Sequence, residues 1–295
     1  MKNIVKLLFF LLIVNFLIQC EKDGPIVVKI SDPNFLDALV ELGVDKNGDG
    51  IISPDEAEVV TALDVRNDSI TDMTGIEAFV NLDSLLCGNN YLAELDISNN
   101  KSLVLLGCNY NRLTSINVSS NTALQELYCY NNQLTSLNLT NNTDLTTLNC
   151  SFNQITSLNL SNNTLLLVLC CHFNQLGTLD VSKNSCLEIL NCDGNFIPSI
   201  NISTTALLFL YCSSNQLDFL DVTKNLSLEV LICGGNLLSS LDISDNTALK
   251  FLNIDEMSSL YEVCVWEMPF PPSGVKIVTT NSPNVFFTNE CTEEK

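Results

Sequence analysis

Histidine occurs once, at His172, tryptophan once, and lysine plus arginine number 13 against 34 aspartates and glutamates. Each scarcity removes a class of function. With a single histidine and no Cys-x-x-Cys pair among 13 cysteines, the spacing of a zinc site is missing. The net charge of −21 is spread along the whole chain with no basic stripe, which argues against nucleic acid as a partner. Catalysis has little support either. His172 would have to act as an exposed base, with Cys170 beside it pointing outward and no nucleophile at a strained elbow, so the expectation is a protein that is not an enzyme.

What the sequence has instead is a clock. Cysteines at 87, 108, 129, 150, 171, 192, 212 and 233 fall 21 residues apart with one 20-residue step, and each is followed three residues later by asparagine. A period of this size means a supersecondary unit that cannot bury its own apolar face and must stack on its neighbours. Aligned on cysteine, a unit reads L-x-x-L-x-C-x-x-N-x-L-x-x-L-x-V-S-x-N, as in Leu124, Leu127, Cys129, Asn132, Leu134, Leu137 and Leu139. The spacing of two in L-x-C is strand periodicity, so stacking in register predicts a parallel sheet of eight strands, with an extended opposite wall. The fold class expected is a mainly β repeat solenoid with a short helical amino-terminal cap and a small β carboxy-terminal cap. The segments are 1–20 as a leader, 21–80 as a cap, 81–253 as repeats and 254–295 as the closing cap.

Two asparagine columns run through the repeats. The first, Asn90 to Asn236, has no exception and suits a sharp corner where an amide bonds otherwise unpaired backbone groups. The second, from Asn100 to Asn246, is interrupted around Thr204 and Thr205. The eight periodic cysteines read as small buried hydrophobes, since parallel stacked strands point them the same way and they cannot face one another as disulfides. Cys264 and Cys291 lie outside the repeats, and in an exported protein they can close the end cap as a disulfide. Asn-x-Ser/Thr triplets at Asn117, Asn138, Asn159 and Asn201 follow from the repeat consensus and are not read as glycosylation sites.

Lys2 and Lys6 followed by the apolar run Leu7 to Ile18 form a targeting segment too short to span a bilayer. Cys20 directly after this run resembles the lipidated cysteine of a bacterial lipoprotein, which implies a lipid anchor as the one membrane contact.

Before the repeats, Asp45-Lys46-Asn47-Gly48-Asp49-Gly50-Ile51-Ile52-Ser53-Pro54-Asp55-Glu56 fits the calcium-loop pattern D-x-[DN]-x-[DN]-G-x5-E. Asp45, Asn47 and Asp49 would give side-chain oxygens, Ile51 a carbonyl, Ser53 a hydroxyl or water contact and Glu56 a bidentate carboxylate, in an EF-hand-like loop between two helices. Ca2+ is thus expected as a structural ion bracing the cap, with an affinity of about 0.1 to 1 mM. The same residues also read as a capping box, in which Glu56 bonds back to the chain at Ser53 and not to a metal.

Residues just before and after each cysteine are expected to point out of the sheet, which gathers Tyr128, Tyr130, His172 and Tyr211 on one face, with Tyr110, Phe152, Phe173 and Phe209 in neighbouring columns. Exposed aromatics resemble interface anchors, although an aromatic ladder can also simply stabilise a sheet.

The eight C-x-x-N copies, the lead-in Thr74-Gly75-Ile76-Glu77-Ala78-Phe79 and the cap Leu260-Tyr261-Glu262-Val263-Cys264-Val265-Trp266 together resemble the internalin-like leucine-rich-repeat proteins of bacterial surfaces, in particular a cysteine-bearing branch in Bacteroidetes lipoproteins. That resemblance spans about residues 28 to 291 and implies adhesion or recognition of a protein or glycan at the cell envelope, by a monomer anchored on the outer membrane or cell surface. It carries no catalytic residues. The alternative is a structural spacer or subunit of an envelope assembly, because repeat scaffolds host many functions.

Overall fold

The computed structural model describes residues 27–291, so the leader and Cys20 lie outside the described residues. Eleven three-residue strands pair in parallel in one sheet, in the order β1-β2-β3-β4-β5-β6-β7-β8-β9-β11-β13. These are β1 (Ala62–Asp64), β2 (Ser84–Leu86), β3 (Leu105–Gly107), β4 (Glu126–Tyr128), β5 (Thr147–Asn149), β6 (Val168–Cys170), β7 (Ile189–Asn191), β8 (Phe209–Tyr211), β9 (Val230–Ile232), β11 (Phe251–Asn253) and β13 (Lys276–Val278). The middle residue of each strand is apolar, leucine from Leu63 to Leu252 and Ile277 in β13, and these central residues pair rung to rung without a slip. At about 4.8 Å per step the sheet is roughly 48 Å long.

The count of eight strands is therefore corrected to eleven in this sheet. The cysteine clock missed the outer rungs because other residues fill the same place: Val65 follows β1 and Ile254 follows β11, both buried. The expected extended wall opposite is also only partly formed. Among the described residues it holds strands at the carboxy-terminal end alone, β10 (Ser240–Asp242), β12 (Glu262–Cys264) and β14 (Phe286–Thr288), in a second parallel sheet. In earlier rungs the equivalent residues form no ladder, and a turn follows them. The side chain of Asn117, Asn138, Asn159 or Asn201 accepts from the amide two residues on, which explains why the triplet recurs.

The interior is built from repeated rows. Cys87, Cys108, Cys129, Cys150, Cys171, Cys192, Cys212 and Cys233 are all buried and unpaired, and burial raises their thiols, Cys108, Cys150 and Cys233 to about 12. They are packing atoms, since a protonated thiol is no nucleophile. Beside them the asparagine corner repeats one pattern. Asn132 Nδ2 donates to the carbonyls of Cys108 (3.0 Å) and Cys129 (3.1 Å), while its Oδ1 accepts from the amide of Leu113 (3.0 Å). Each such amide ties its own rung to the preceding one. In the second column, Asn121 Nδ2 reaches the carbonyls of Ile97 and Asn100, and at the interruption Thr205 Oγ1 donates to Ile202 instead.

The ends are closed differently. At the amino end, helix α1 (Pro33–Glu41) starts at Asp32, whose Oδ1 accepts from the amides of Asn34 and Phe35, and whose Oδ2 accepts from the amide and hydroxyl of Thr71 at 2.6 Å each. Phe35 and Leu39 are buried under the first rungs, whereas Val40 on the same helix is exposed. At the other end Cys264 and Cys291 are joined by a disulfide, with Cα atoms 5.5 Å apart. Phe270 packs between Trp266 and Phe287 there, with ring centroids at 5.1 Å to each.

Candidate functional site

In each rung the strand ends one residue before the cysteine, and this decides where the aromatic residues stand. Tyr128, Phe209 and Tyr211 lie on β4 and β8. Tyr130 and His172 come after the cysteine, on the turn, and Tyr110, Phe152 and Phe173 one residue further still. The sequence-based face is thus corrected to a strand surface and a corner beside it. The strand surface proper comprises the residues on either side of each central leucine. Counting outward from cysteine missed its apolar stripe, Val168, Ile189, Val230 and Phe251, half-buried along the carboxy-terminal half. Counting outward from leucine was the signal that could have found it.

The corner is unusual in its backbone. Tyr110, Phe152 and Phe173 have φ of 53°, 52° and 52°, a left-handed conformation that costs a bulky side chain about 1–2 kcal/mol. Equivalent corners carry Asn67, Asn89, Asn131, Gly194 and Gly235, residues that accept it readily, and Ser214 and Glu256 towards the carboxy end. All three aromatics are also exposed, at 51%, 44% and 53%. Phe152 and Phe173 stack with centroids 4.8 Å apart, and the His172 ring meets Phe152 edge-on at 5.0 Å. Tyr110 meets Tyr130 edge-on at 5.3 Å. Tyr128 differs: its hydroxyl donates to Glu126 at 2.8 Å, and burial together with that carboxylate pushes it up to about 12. The fold therefore gathers two aromatic groups on the corner, while Phe209 and Tyr211 stand two rungs beyond Phe173. Upstream, the Arg112 guanidinium lies 4.9 Å above the Tyr91 ring, a contact the sequence did not suggest.

The cap loop folds around its own carboxylates. Asp45 accepts from the amides of Gly48 (2.7 Å) and Gly50 (2.8 Å), Asn47 from Asp49, and Asp49 from Ile51. Glu56 sits in helix α2 (Pro54–Glu58). Its Oε1 accepts from the amides of Lys46 and Asn47, its Oε2 from the amide and hydroxyl of Ser53, and Ser53 Oγ accepts from the Glu56 amide. The capping box is formed, and the Ser53 bonds hold the Glu56 carboxyl below its usual range. Among the described residues no three Asp, Glu, His or Cys side chains converge as a metal-holding group. The donor set is all oxygen, as calcium requires, but a metal must draw Glu56 away from four existing donors.

Comparison with known proteins bears on the whole stack. No known family profile matches the chain. Over 49 residues it is 45% identical to Internalin J of Listeria monocytogenes serotype 4b (strain F2365), which covers 17% of the chain and 5% of that protein. The solved functional domain of InlJ from Listeria monocytogenes, which includes a cysteine ladder, superposes with a TM-score of 0.70 and 32% identity over 88% of this chain. The chain has an internalin-like leucine-rich-repeat fold. This internalin-like solenoid spans 64% of the solved InlJ domain and a small part of Internalin J as a whole. The plant peptide hormone receptor RGFR1, solved in complex with RGF2, shares the fold with a TM-score of 0.59 and 24% identity, over 80% of this chain and 40% of the receptor. Like the InlJ domain with its cysteine ladder, this chain carries a column of buried cysteines.

Proposed function

We propose that this solenoid is a binding module displayed at the cell surface, which holds a protein through the strand surface and aromatic corner between Tyr110 and Tyr211. One observation carries the reading: the corner holds bulky aromatics in a backbone conformation that the rungs directly flanking them give to Asn89, Asn131 and Gly194. Folding gains little from that choice, and an exposed, stacked aromatic pair suits an interface anchor. The same fold is found in the plant peptide hormone receptor RGFR1, solved in complex with RGF2. The test is a capture screen of residues 27–291 against surface proteins and glycans, repeated with Phe152→Asn plus Phe173→Asn. Loss of a captured protein by a variant that still folds supports the reading. Undiminished capture removes it.

Two attachments belong to the proposal. Cys20 would be the lipidated residue, tested by palmitate labelling lost in Cys20→Ala. Asp45, Asn47, Asp49, Ile51, Ser53 and Glu56 would hold calcium in exchange for the bonds Glu56 now makes. Titration calorimetry giving equal heats for wild type and Asp45→Ala would leave the loop as a capping box alone.

A further inference from the structure

The corner continues past the phenylalanine pair to a carboxylate without a counter-charge. Asp193 follows Cys192, one rung beyond His172, and the amide of Phe173 donates to the Asp193 carbonyl at 2.8 Å. Its side chain is half-buried. Oδ1 accepts from the backbone amide of Ser213 at 2.5 Å, and no side-chain donor reaches the carboxylate among the described residues. The ion pairs described are Arg66 with Asp64 and Lys250 with Glu229, neither of them at this rung. Next to it, Ser213 Oγ is buried and without a protein partner, and so is Nδ1 of His172 in the preceding rung. Gly194 completes the floor. Its φ is +61°, and a Cβ there would lie 2.7 Å from Phe173 Cδ1, so the ring rests on the bare backbone directly beside the carboxylate. Replacing that glycine would displace the ring.

A half-buried anion between incompletely bonded polar groups and an aromatic ring is poorly solvated, and burial pushes the Asp193 carboxyl up to about 6. The Ser213 amide gives the carboxylate one bond, and an uncharged acceptor would serve that amide as well. A ligand of opposite charge would compensate the anion, with the exposed phenylalanine faces offering a cation a second attraction within about 6 Å. The molecule already uses that contact at Arg112 and Tyr91. Its net charge of −21 steers cationic partners towards any such place. A neutral sugar hydroxyl would leave the charge uncompensated, which favours a basic protein segment over a glycan.

We propose that Asp193, with Phe173, His172 and Ser213 around it, is a socket for one lysine or arginine side chain of a basic partner segment. This rests on the binding reading above and names the chemistry of the partner. The probe is a fluorescent octapeptide of alternating glycine and arginine, with glycine–lysine and glycine–glutamate counterparts, followed by anisotropy near physiological salt. Asp193→Asn keeps an acceptor for the Ser213 amide and removes the charge. Asp218→Asn removes one exposed charge outside this corner and is the control. Affinity for a basic peptide should fall about tenfold or more in Asp193→Asn and less than about twofold in Asp218→Asn. Equal losses, or no binding of either basic peptide, overturn the socket. If the partner from the capture screen is lost with Phe152→Asn plus Phe173→Asn but is held equally by Asp193→Asn, the socket falls and the binding face stands. If neither matters, both fall. A neutral glycan captured irrespective of Asp193 also overturns the socket.

Discussion

The cysteine column inside the solenoid and the aromatic corner outside it are a few residues apart in every rung, yet they follow opposite rules. Inside, the same side chain recurs, because each rung meets the same neighbours in the same register and a change in volume or polarity is felt at once. Outside, one backbone conformation is kept at φ near 50–60° while the side chain changes from Asn to Tyr to Phe to Gly. The repeats act as internal controls for one another. Where the fold needs a residue it repeats it, and where the residue departs from what the backbone prefers, another requirement is at work.

The contrast can be broken most strongly from the inside. Asn132→Ala removes two donors and one acceptor in a closed corner and should destabilise by about 3 kcal/mol, read from the midpoint of urea unfolding. If it costs no more than a surface substitution, the asparagine column is not a structural row. Cys150→Ser buries a hydroxyl in the thiol column and should cost about 2 kcal/mol, whereas Cys186→Ser, at an exposed cysteine, should change little.

The caps sharpen the comparison by pH. Burial alone would raise the Asp32 carboxyl, but the Thr71 hydroxyl and amide together with the Phe35 and Asn34 amides outweigh it and hold it below 3.8. Its contribution is thus complete above the unfolded value of 3.8 and is lost as pH falls through the lower folded value. Asp32→Ala should cost about 1–2 kcal/mol at pH 7 and flatten the acid limb of thermal unfolding. Asp193 has the opposite sign. Its carboxyl lies at about 6 in the fold against 3.8, so the fold disfavours its charged form, a penalty that grows as pH rises from about 4 to 6 and is complete above that. Asp193→Asn should stabilise at pH 7 by on the order of 1 kcal/mol, discounted for partial exposure, with the gain vanishing near pH 4. A wild-type minus variant difference that stays constant over this range would refute the shift.

The smallest effect is expected on the corner. Phe152→Asn gives up a ring stack but relieves left-handed strain, so stability should move by less than about 1 kcal/mol in circular-dichroism melts. A large loss would mean that the ring is a structural ladder after all, and the contrast between inside and outside would close.

Much of this was legible in the residues. The period, the parallel stack, the burial of the thiols and the role of the asparagine corner all follow from eight copies of one pattern, because equivalent residues in a stack meet equivalent surroundings. The outer rungs escaped notice where Val65 and Ile254 stand in for cysteine. For the cap loop, both the calcium pattern and the capping box fit the letters, and the structure displays the bonds of the second without excluding a metal from displacing them.

The repeat, its register and its interior can be read from the order of residues, since periodicity survives in one dimension. Only the tertiary structure decided where each strand stops, which aromatics sit on the corner at positive φ, and that Phe173, Gly194, Asp193 and Ser213 from three successive rungs share one place. Those relations depend on side-chain direction and on contacts between residues about 20 positions apart, and a period alone carries neither.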